Sequence, residues 1–483
     1  MNTGFSLTKK DILSDPLVAY SAISGQQHVD NKTQIEQLWQ QLCDINQQQD
    51  ERQLERKKVS RKIGECKRNN ESTDALLDTM RQLSLQIKNL SLQSVKLEEK
   101  ILSFFDIEIS AVDSSTTADV LGDDKTGTTC RWRATETPDM SQLFISSFKG
   151  KQPTWNDYVS NHPAGRIHHR SEWLSLLQNC YGHESYSLYA YDKNNNIVGI
   201  LPLVRLSSRL FGDLIVSMPF FQTAGAIAEH PRIEEKLIEE AGILAGKLGV
   251  DHIEYRDDIA RNNMPVQSHK VNMVLALPDD AELLWQSFSS KLRAQIKRPQ
   301  KENHKVTIGR QALLDDFYAV YTRNMRDLGS PPHSREFIAG ILEQFPDNSW
   351  LITIRSNNRP VSAGLLLAYK DTMEIPLAST IRDVNSFSMN MLLYWEVLQF
   401  AINRGCKSFD FGRSSKDTGT YNFKKQWGAK PRQLYWHYWL GKTLEIPAIS
   451  PTNPKYALII YIWRRLPVFV TTLLGPWIVK NIP

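Results

Sequence analysis

Apolar residues recur through the first hundred positions at intervals of three and four. Ile35, Leu38, Leu42, Ile45, Val59 and Ile63 keep this spacing, with polar Gln49, Arg52 and Arg56 in the middle of the run. Leu76, Met80, Leu83, Ile87, Leu90, Ser94, Leu97 and Ile101 resume it. That period marks one face of an α-helix. The stretch between the two runs, residues 67–74, is rich in turn and N-cap residues, and helices joined so briefly must run antiparallel. A long helical hairpin is therefore expected, followed by a polar stretch at 109–128 that is poor in large apolar groups and reads as a linker.

Beyond the linker the period changes to that of strands, and one pattern occurs twice. Residues 186–191, a turn at 192–196 and residues 197–204 read as a β-hairpin, as do 350–354, 355–359 and 360–367. Each hairpin is followed by a helix that ends on glycine and feeds a strand, at 245–255 and again at 401–411. Two features in the same order point to a duplicated module. The expected divisions are an arm at 1–108, a linker at 109–135, modules at 136–275 and 276–445, and an apolar tail at 446–483.

Composition narrows the class. A 483-residue chain with 41% apolar and 23% charged residues is long enough for two or three globular domains, and its net charge of +5 is small for that length. An anionic partner must therefore be met by local patches. One such patch lies on the first predicted helix, where Arg52, Arg56, Lys57, Lys58, Arg61, Lys62, Lys67 and Arg68 face only Glu51, Glu55 and Glu65. It suits either a solvated coiled-coil face or an arm that binds RNA. A second, Lys291 to Lys301, holds five cations in eleven residues and suits RNA backbone, a pyrophosphate or solvent. Cys43, Cys66, Cys130, Cys180 and Cys406 are scattered, with no Cys-x-x-Cys, and the first residues contain no apolar h-region. A cytoplasmic setting, with no disulfide framework and no signal peptide, is the expectation.

Two resemblances enter here. The segment from about Ile12 to Trp132, through residues 12–17, 55–67 and 131–133, resembles the N-terminal arm of bacterial seryl-tRNA synthetases, which in that family grips the tRNA. Nothing after Trp132 resembles a synthetase catalytic domain, so aminoacylation is not implied. From about Arg166 onward the chain resembles the FemAB-like proteins, two fused acyl-transfer modules of the GNAT fold, and among them the branch associated with exosortase and exopolysaccharide systems. Seven patches carry this, at 168–174, 201–204, 208–212, 394–396, 409–414, 423–428 and 453–456. Together the resemblances imply an α/β (α+β) protein with two tandem GNAT-like acyltransferase modules behind an antiparallel helical coiled-coil hairpin. They imply transfer of an aminoacyl group from aminoacyl-tRNA to an amine of a cell-envelope or exopolysaccharide precursor. An acyl-CoA-dependent N-acyltransferase and a non-catalytic binding protein, with the arm forming an oligomer, remain open.

Acyl transfer to an amine needs a proton acceptor for the nucleophile and positive charge near the oxyanion. Phe423-Lys424 matches the Phe-Lys pair that lies in the Fem active-site channel, so the resemblance gives Lys424 the second role. Residues 419–428 read as a basic, aromatic loop in which Tyr421, Phe423, Lys425 and Trp427 are candidates for substrate contact. Asp410 alternates with Phe409 and Phe411 and so should point away from both. Arg413 is placed to pair with Asp410 or to hold a phosphate. His168 and Arg170, in a segment that reads as a helix entry, are candidates for an anionic acceptor, with a satisfied pair of histidines at 168–169 as the alternative.

Absences shape the remaining expectations. The place before Met391 where acetyl-CoA users cradle a pyrophosphate has no glycine, which weakens a CoA donor. There is no P-loop and no metal-spaced cluster, so neither nucleotide hydrolysis nor a metal is expected, and no cofactor beyond the acyl donor. The tail is strongly apolar but is interrupted by Arg464, Arg465, Pro467 and Pro476. It suits packing on the domain or peripheral contact with the inner membrane face.

Overall fold

The protein is described by a computed structural model covering residues 29–68, 72–102, 131–132, 137–149, 153–208, 211–261, 264–300, 304–441, 446 and 454–483. Two compact units divide the chain, one ending at Thr126 and one beginning at Gly127.

The first unit contains α1 (Val29–Arg68) and α2 (Asp74–Leu102). Ile35, Leu42, Val59, Ile63, Leu83 and Ile101, all from the two periodic runs, are buried between them. Near the turn Val59 and Ile63 cluster with Leu83, Leu76 and Met80, while Ser94 Oγ donates to Asn46 Oδ1 (3.1 Å) farther along. Pairing of late α1 with early α2 fixes the antiparallel sense. The expected linker lies outside the described residues.

The second unit opens with β1 (Phe144–Ser147), α3 (Pro153–Asn161) and α4 (Glu172–Tyr181). Then come β2 (Glu184–Ser185), the hairpin β3 (Leu188–Tyr191) and β4 (Ile197–Leu201), β5 (Val204–Ser208), β6 (Gly212–Val216) and β7 (Ile227–Ala228). α5 (Pro231–Leu248), β8 (His252–Asp257) and β9 (Val266–Gln267) follow. The next stretch holds β10 (Lys270–Ala276), α6 (Ala281–Ser287), α7 (Ser290–Gln300), β11 (His304–Gly309), α8 (Leu314–Leu328) and α9 (Arg335–Gln344). The second hairpin is β12 (Ser349–Ser356) and β13 (Arg359–Tyr369), leading to β14 (Thr372–Thr380), α10 (Met389–Asn403) and β15 (Ser408–Ser415). α11 (Gly419–Lys425), β16 (Lys430–Gln433), β17 (Tyr435–Leu440), α12 (Pro454–Trp463) and α13 (Val468–Val479) complete the chain.

The duplication is visible at its punctuation. Asn357 and Asn358 turn the second hairpin with φ of 50° and 61°, both in the left-handed region that a two-residue hairpin turn demands. α5 and α10 stop beside Gly249 and Gly405, with φ of 65° and 77°, and β8 and β15 begin three residues later.

The modules do not separate where the sequence pattern divides them. Among the described residues the sheets run β1-β3-β4-β7, β2-β5-β6-β8-β17-β9 and β11-β12-β13-β14-β15-β10-β16. The expected divide at residue 275 falls inside β10, which pairs with β15 and so lies in the second module's sheet. β17, expected in the second module, pairs antiparallel with β8 of the first. Each module completes its sheet only with the help of chain from across the divide. Both are α/β layers, with the helices packed on mixed sheets.

Candidate active site

β14 and β15 run parallel but stay paired for only three residues, Thr372 with Ser408, Met373 with Phe409 and Glu374 with Asp410. β14 continues to Thr380 and β15 to Ser415 with no further ladder between them, so the strands part beyond Glu374 and Asp410. Two carboxylates thus lie side by side where the sheet opens, both buried. Burial, with the charge of Glu374 beside it, raises the Asp410 pKa above the usual carboxylate value. Asp410 stays anchored: Asn272 Nδ2 donates to Oδ2, and Gly412 N–H donates to Oδ1 at 2.6 Å.

Glu374 reaches across to the first module. Its Oε1 lies 2.7 Å from His168 Nε2, while His168 Nδ1 lies 3.1 Å from Thr223 O. Both ring nitrogens face acceptors, and Nδ1 must donate to the carbonyl. One proton therefore sits between Nε2 and Oε1.

A bulge in β15 sets the other half of the site. Opposite β10 the register slips between Asn272 and Val274, where β15 passes from Arg413 to Asp410, and Gly412 takes φ of 76°. Only a residue at ease with positive φ allows this. The bulge turns two carbonyls toward α11, and Lys424 Nζ donates to Gly412 O and Arg413 O, each at 3.0 Å. α11 itself starts where Thr418 caps it through Tyr421 N–H. Lys424 falls in its last turn, buried, and its third N–H has no partner among the described residues. Burial pulls its pKa down to about 8, with Asp410 opposing the shift and Arg413 adding to it.

Asp410 and Lys424 are brought together. Arg413 does not pair with Asp410: its guanidinium lies 4.7 Å over the Trp436 ring, where Arg256 also sits at 4.5 Å. Residues 419–425 are a helix, not a loop, and this buries Lys424 while leaving Lys425 exposed. Trp427 is a core residue, 5.5 Å from Phe288, and Phe423 packs edge-on against Tyr394 at 5.2 Å. Neither offers a free ring to substrate, while Tyr421 stays half-exposed on α11. Arg170 is taken by Glu172, to which its Nε donates at 3.2 Å. His168 and His169 are a satisfied pair, and burial with the Arg166 charge drives His169 down to about 3. They sit on a 3-10 turn that leads into α4 at Glu172, so the segment is a helix entry as expected. On α7 Leu292 and Ile296 are buried and Lys297 lies over Trp285 at 5.6 Å.

On the arm, Arg52, Arg56 and Lys62 are exposed, and Arg52 pairs with Glu55 at 2.9 Å. The side chains of Lys57 and Arg61 lie outside the described residues. Arg131, in the last patch of the resemblance to the synthetase arm, belongs to the second unit and ion-pairs with Asp258 (2.9 Å) and Glu234 (3.3 Å) of the first module. The resemblance therefore ends before it.

Glu374 and Asn272 escaped the sequence reading. Each is the one ionisable or amide side chain within an apolar strand run, residues 373–378 and 271–277. That signal was present, but only their neighbours in space give it meaning.

Comparison with known proteins bears on this geometry. Residues 286–425, which contain β14, β15, Glu374, Asp410 and Lys424, match the family model described as acetyltransferase (GNAT) domain. This segment is thus similar to a GNAT acyltransferase domain. Residues 18–105 match the seryl-tRNA synthetase N-terminal domain. Among solved structures, FemX aligns over 66% of this chain and 100% of its own at 12% identity and a TM-score of 0.49. L-PGS from Bacillus licheniformis covers 61% of this chain and 91% of its own, at 13% and 0.41. A tandem GNAT protein of the clavulanic acid pathway covers 63% and 100%, at 9% and 0.40. No curated protein matches. Among the described residues no group of His, Cys, Asp and Glu could hold a metal, and no helix is long and apolar enough to cross a membrane.

Proposed function

We propose that the protein transfers an aminoacyl group from aminoacyl-tRNA to an amine of a cell-envelope or exopolysaccharide precursor. The observation that carries this is the union in one chain of a GNAT acyltransferase domain and a seryl-tRNA synthetase-type arm.

In the step we infer, the acceptor amine gives up a proton to Asp410 and its nitrogen attacks the ester carbonyl. The C–N bond forms, the carbonyl oxygen becomes an oxyanion, and collapse breaks the ester C–O bond, expelling the ribose oxygen, which takes the proton back from Asp410 and leaves the carboxylate as it began. Lys424 directs its unclaimed N–H at the oxyanion, and the bulge carbonyls hold it there. Glu374, tied to His168, lies beside Asp410 and adds to the rise of its pKa, which makes Asp410 a stronger base. The donor is a substrate, and no resident cofactor is invoked.

The donor is tested by tRNA binding to the full chain as salt is raised. Binding should weaken steeply with salt, and Arg56→Glu with Lys62→Glu should lower affinity at least tenfold. Absence of tRNA binding at low salt defeats the aminoacyl-tRNA reading. The match of residues 286–425 to an acetyltransferase domain favours a second reading, an acyl-CoA donor; protection against heat by acetyl-CoA, with none by tRNA, would establish it.

A further inference from the structure

The last two helices are apolar all round, and the structure sorts their faces in reverse of the order water imposes. α13 packs inward through Thr471, Gly475 and Val479, spaced by four; a Cβ on Gly475 would come within 2.4 Å of Pro332. The outward stripe, also spaced by four, carries Phe469, Leu473 and Trp477, exposed by 74%, 71% and 69%. On α12 Trp463 is buried and donates Nε1–H to Ser330 O at 3.2 Å, while Ile459 and Tyr461 are 60% and 55% exposed. A helix that meets only water turns its large apolar groups inward. Here the small ones go in and the large ones stay out, a contiguous apolar surface of the kind that marks an interaction site.

Charge says what covers it. From residue 446 to the last residue there is no Asp or Glu, against Lys455, Arg464, Arg465 and Lys480. Arg464 donates to Leu328 O at 2.9 Å and Arg465 to Tyr461 O at 3.1 Å, so their partners are carbonyls that leave the positive charge uncompensated. Arg465 lies 3.4 Å over Tyr461 and Lys480 lies 5.0 Å over Trp477, which places cation beside aromatic ring on both helices. Aliphatic and aromatic groups flanked by Lys and Arg, with no acid, match the boundary of an anionic bilayer: rings at the headgroups, aliphatic tips below, cations on lipid phosphates. The helices, of 10 and 12 residues, are too short to span: at ~1.5 Å per residue they reach about 15 and 18 Å against a hydrocarbon core of about 30 Å.

We propose that α12 and α13 form a docking surface for an anionic lipid bilayer, on which the helices lie in the plane of the interface. This stands apart from the identity of the acyl donor, and adds that the acceptor is met at a membrane surface.

The experiment is co-sedimentation of the full chain with sucrose-loaded vesicles of phosphatidylglycerol and phosphatidylcholine (1:1), or of phosphatidylcholine alone. Binding to the anionic vesicles should exceed binding to neutral ones at least tenfold. Phe469→Ser/Leu473→Ser/Trp477→Ser should abolish it, and Arg465→Gln/Lys480→Gln should weaken it several-fold. Phe469, Leu473, Trp477 and Arg465 are exposed and Lys480 is half-buried at the helix end, so the circular dichroism and melting temperature of the variants should match the parent. Failure of the parent to bind overturns the proposal. So does binding untouched by the triple substitution, which would assign it to the basic arm. A parent dimer that the triple substitution dissociates would show that a second copy covers the surface, and would overturn it as well. None of these outcomes depends on tRNA binding.

Discussion

Lys424 shows how one side chain's chemistry depends on what surrounds it. Exposed, it would titrate near the ordinary lysine value; buried on the β15 bulge, it titrates at about 8 and is cationic at pH 7. If its ammonium stabilises the oxyanion, transfer should fall as pH rises through about 8, and a pH–rate profile checks this. Stability should move oppositely. The folded pKa is depressed, so between about 8 and the unfolded value of 10.5 the unfolded chain binds more protons, and this group's contribution to stability rises with pH across that window. Lys424→Ala should cut turnover by about a hundredfold or more while the circular dichroism spectrum is retained; unchanged turnover removes Lys424 from the mechanism. Asp410 has the opposite sign: its pKa is raised, so its burial favours the folded state at low pH and costs stability as pH rises through that raised value.

At the scale of elements, the site exists because three irregularities coincide: β14 leaves β15 after Glu374, β15 bulges at Gly412, and α11 follows within a few residues. Gly412→Ala tests the bulge. A Cβ would meet Gln222 Nε2 only at 3.5 Å, so space is available and the strain comes from φ alone. The expected cost is about 1 kcal/mol, read as a shift in the urea midpoint, with a larger loss of turnover because the carbonyls that hold Lys424 move. Turnover equal to the parent's would show that the bulge does not position Lys424.

For the molecule as a whole, strand exchange links the two modules. β10 completes the second sheet, β17 the first, and His168 joins residues 206 apart by meeting Glu374. Calorimetry of the full chain should therefore show both modules melting in a single transition, apart from any arm transition. His168→Ala should lower the stability of that transition by about 3 kcal/mol, because it strands a buried carboxylate. Two separable module transitions would contradict the linkage.

The amino-acid order determined whatever is local or periodic. The three-and-four spacing from Ile35 to Ile101 specifies the arm, since a helix face repeats at that interval. Asn357-Asn358 and the glycines at 249 and 405 specify turns and helix ends, because positive φ selects those residues. Phe423-Lys424 marks a candidate site only through the resemblance to the Fem proteins. The fold alone decided the rest. Whether Lys424 is solvated or buried depends on 419–425 being a helix packed against a bulge, and the partner of Arg413 proved to be Trp436, brought in by β17 from the first module's sheet. Glu374 and Asn272 look like isolated polar residues in apolar runs, and acquire meaning only when distant strands place them beside Asp410. Burial, pKa and strand exchange come from contacts between residues far apart in the chain, which neither spacing nor propensity encodes.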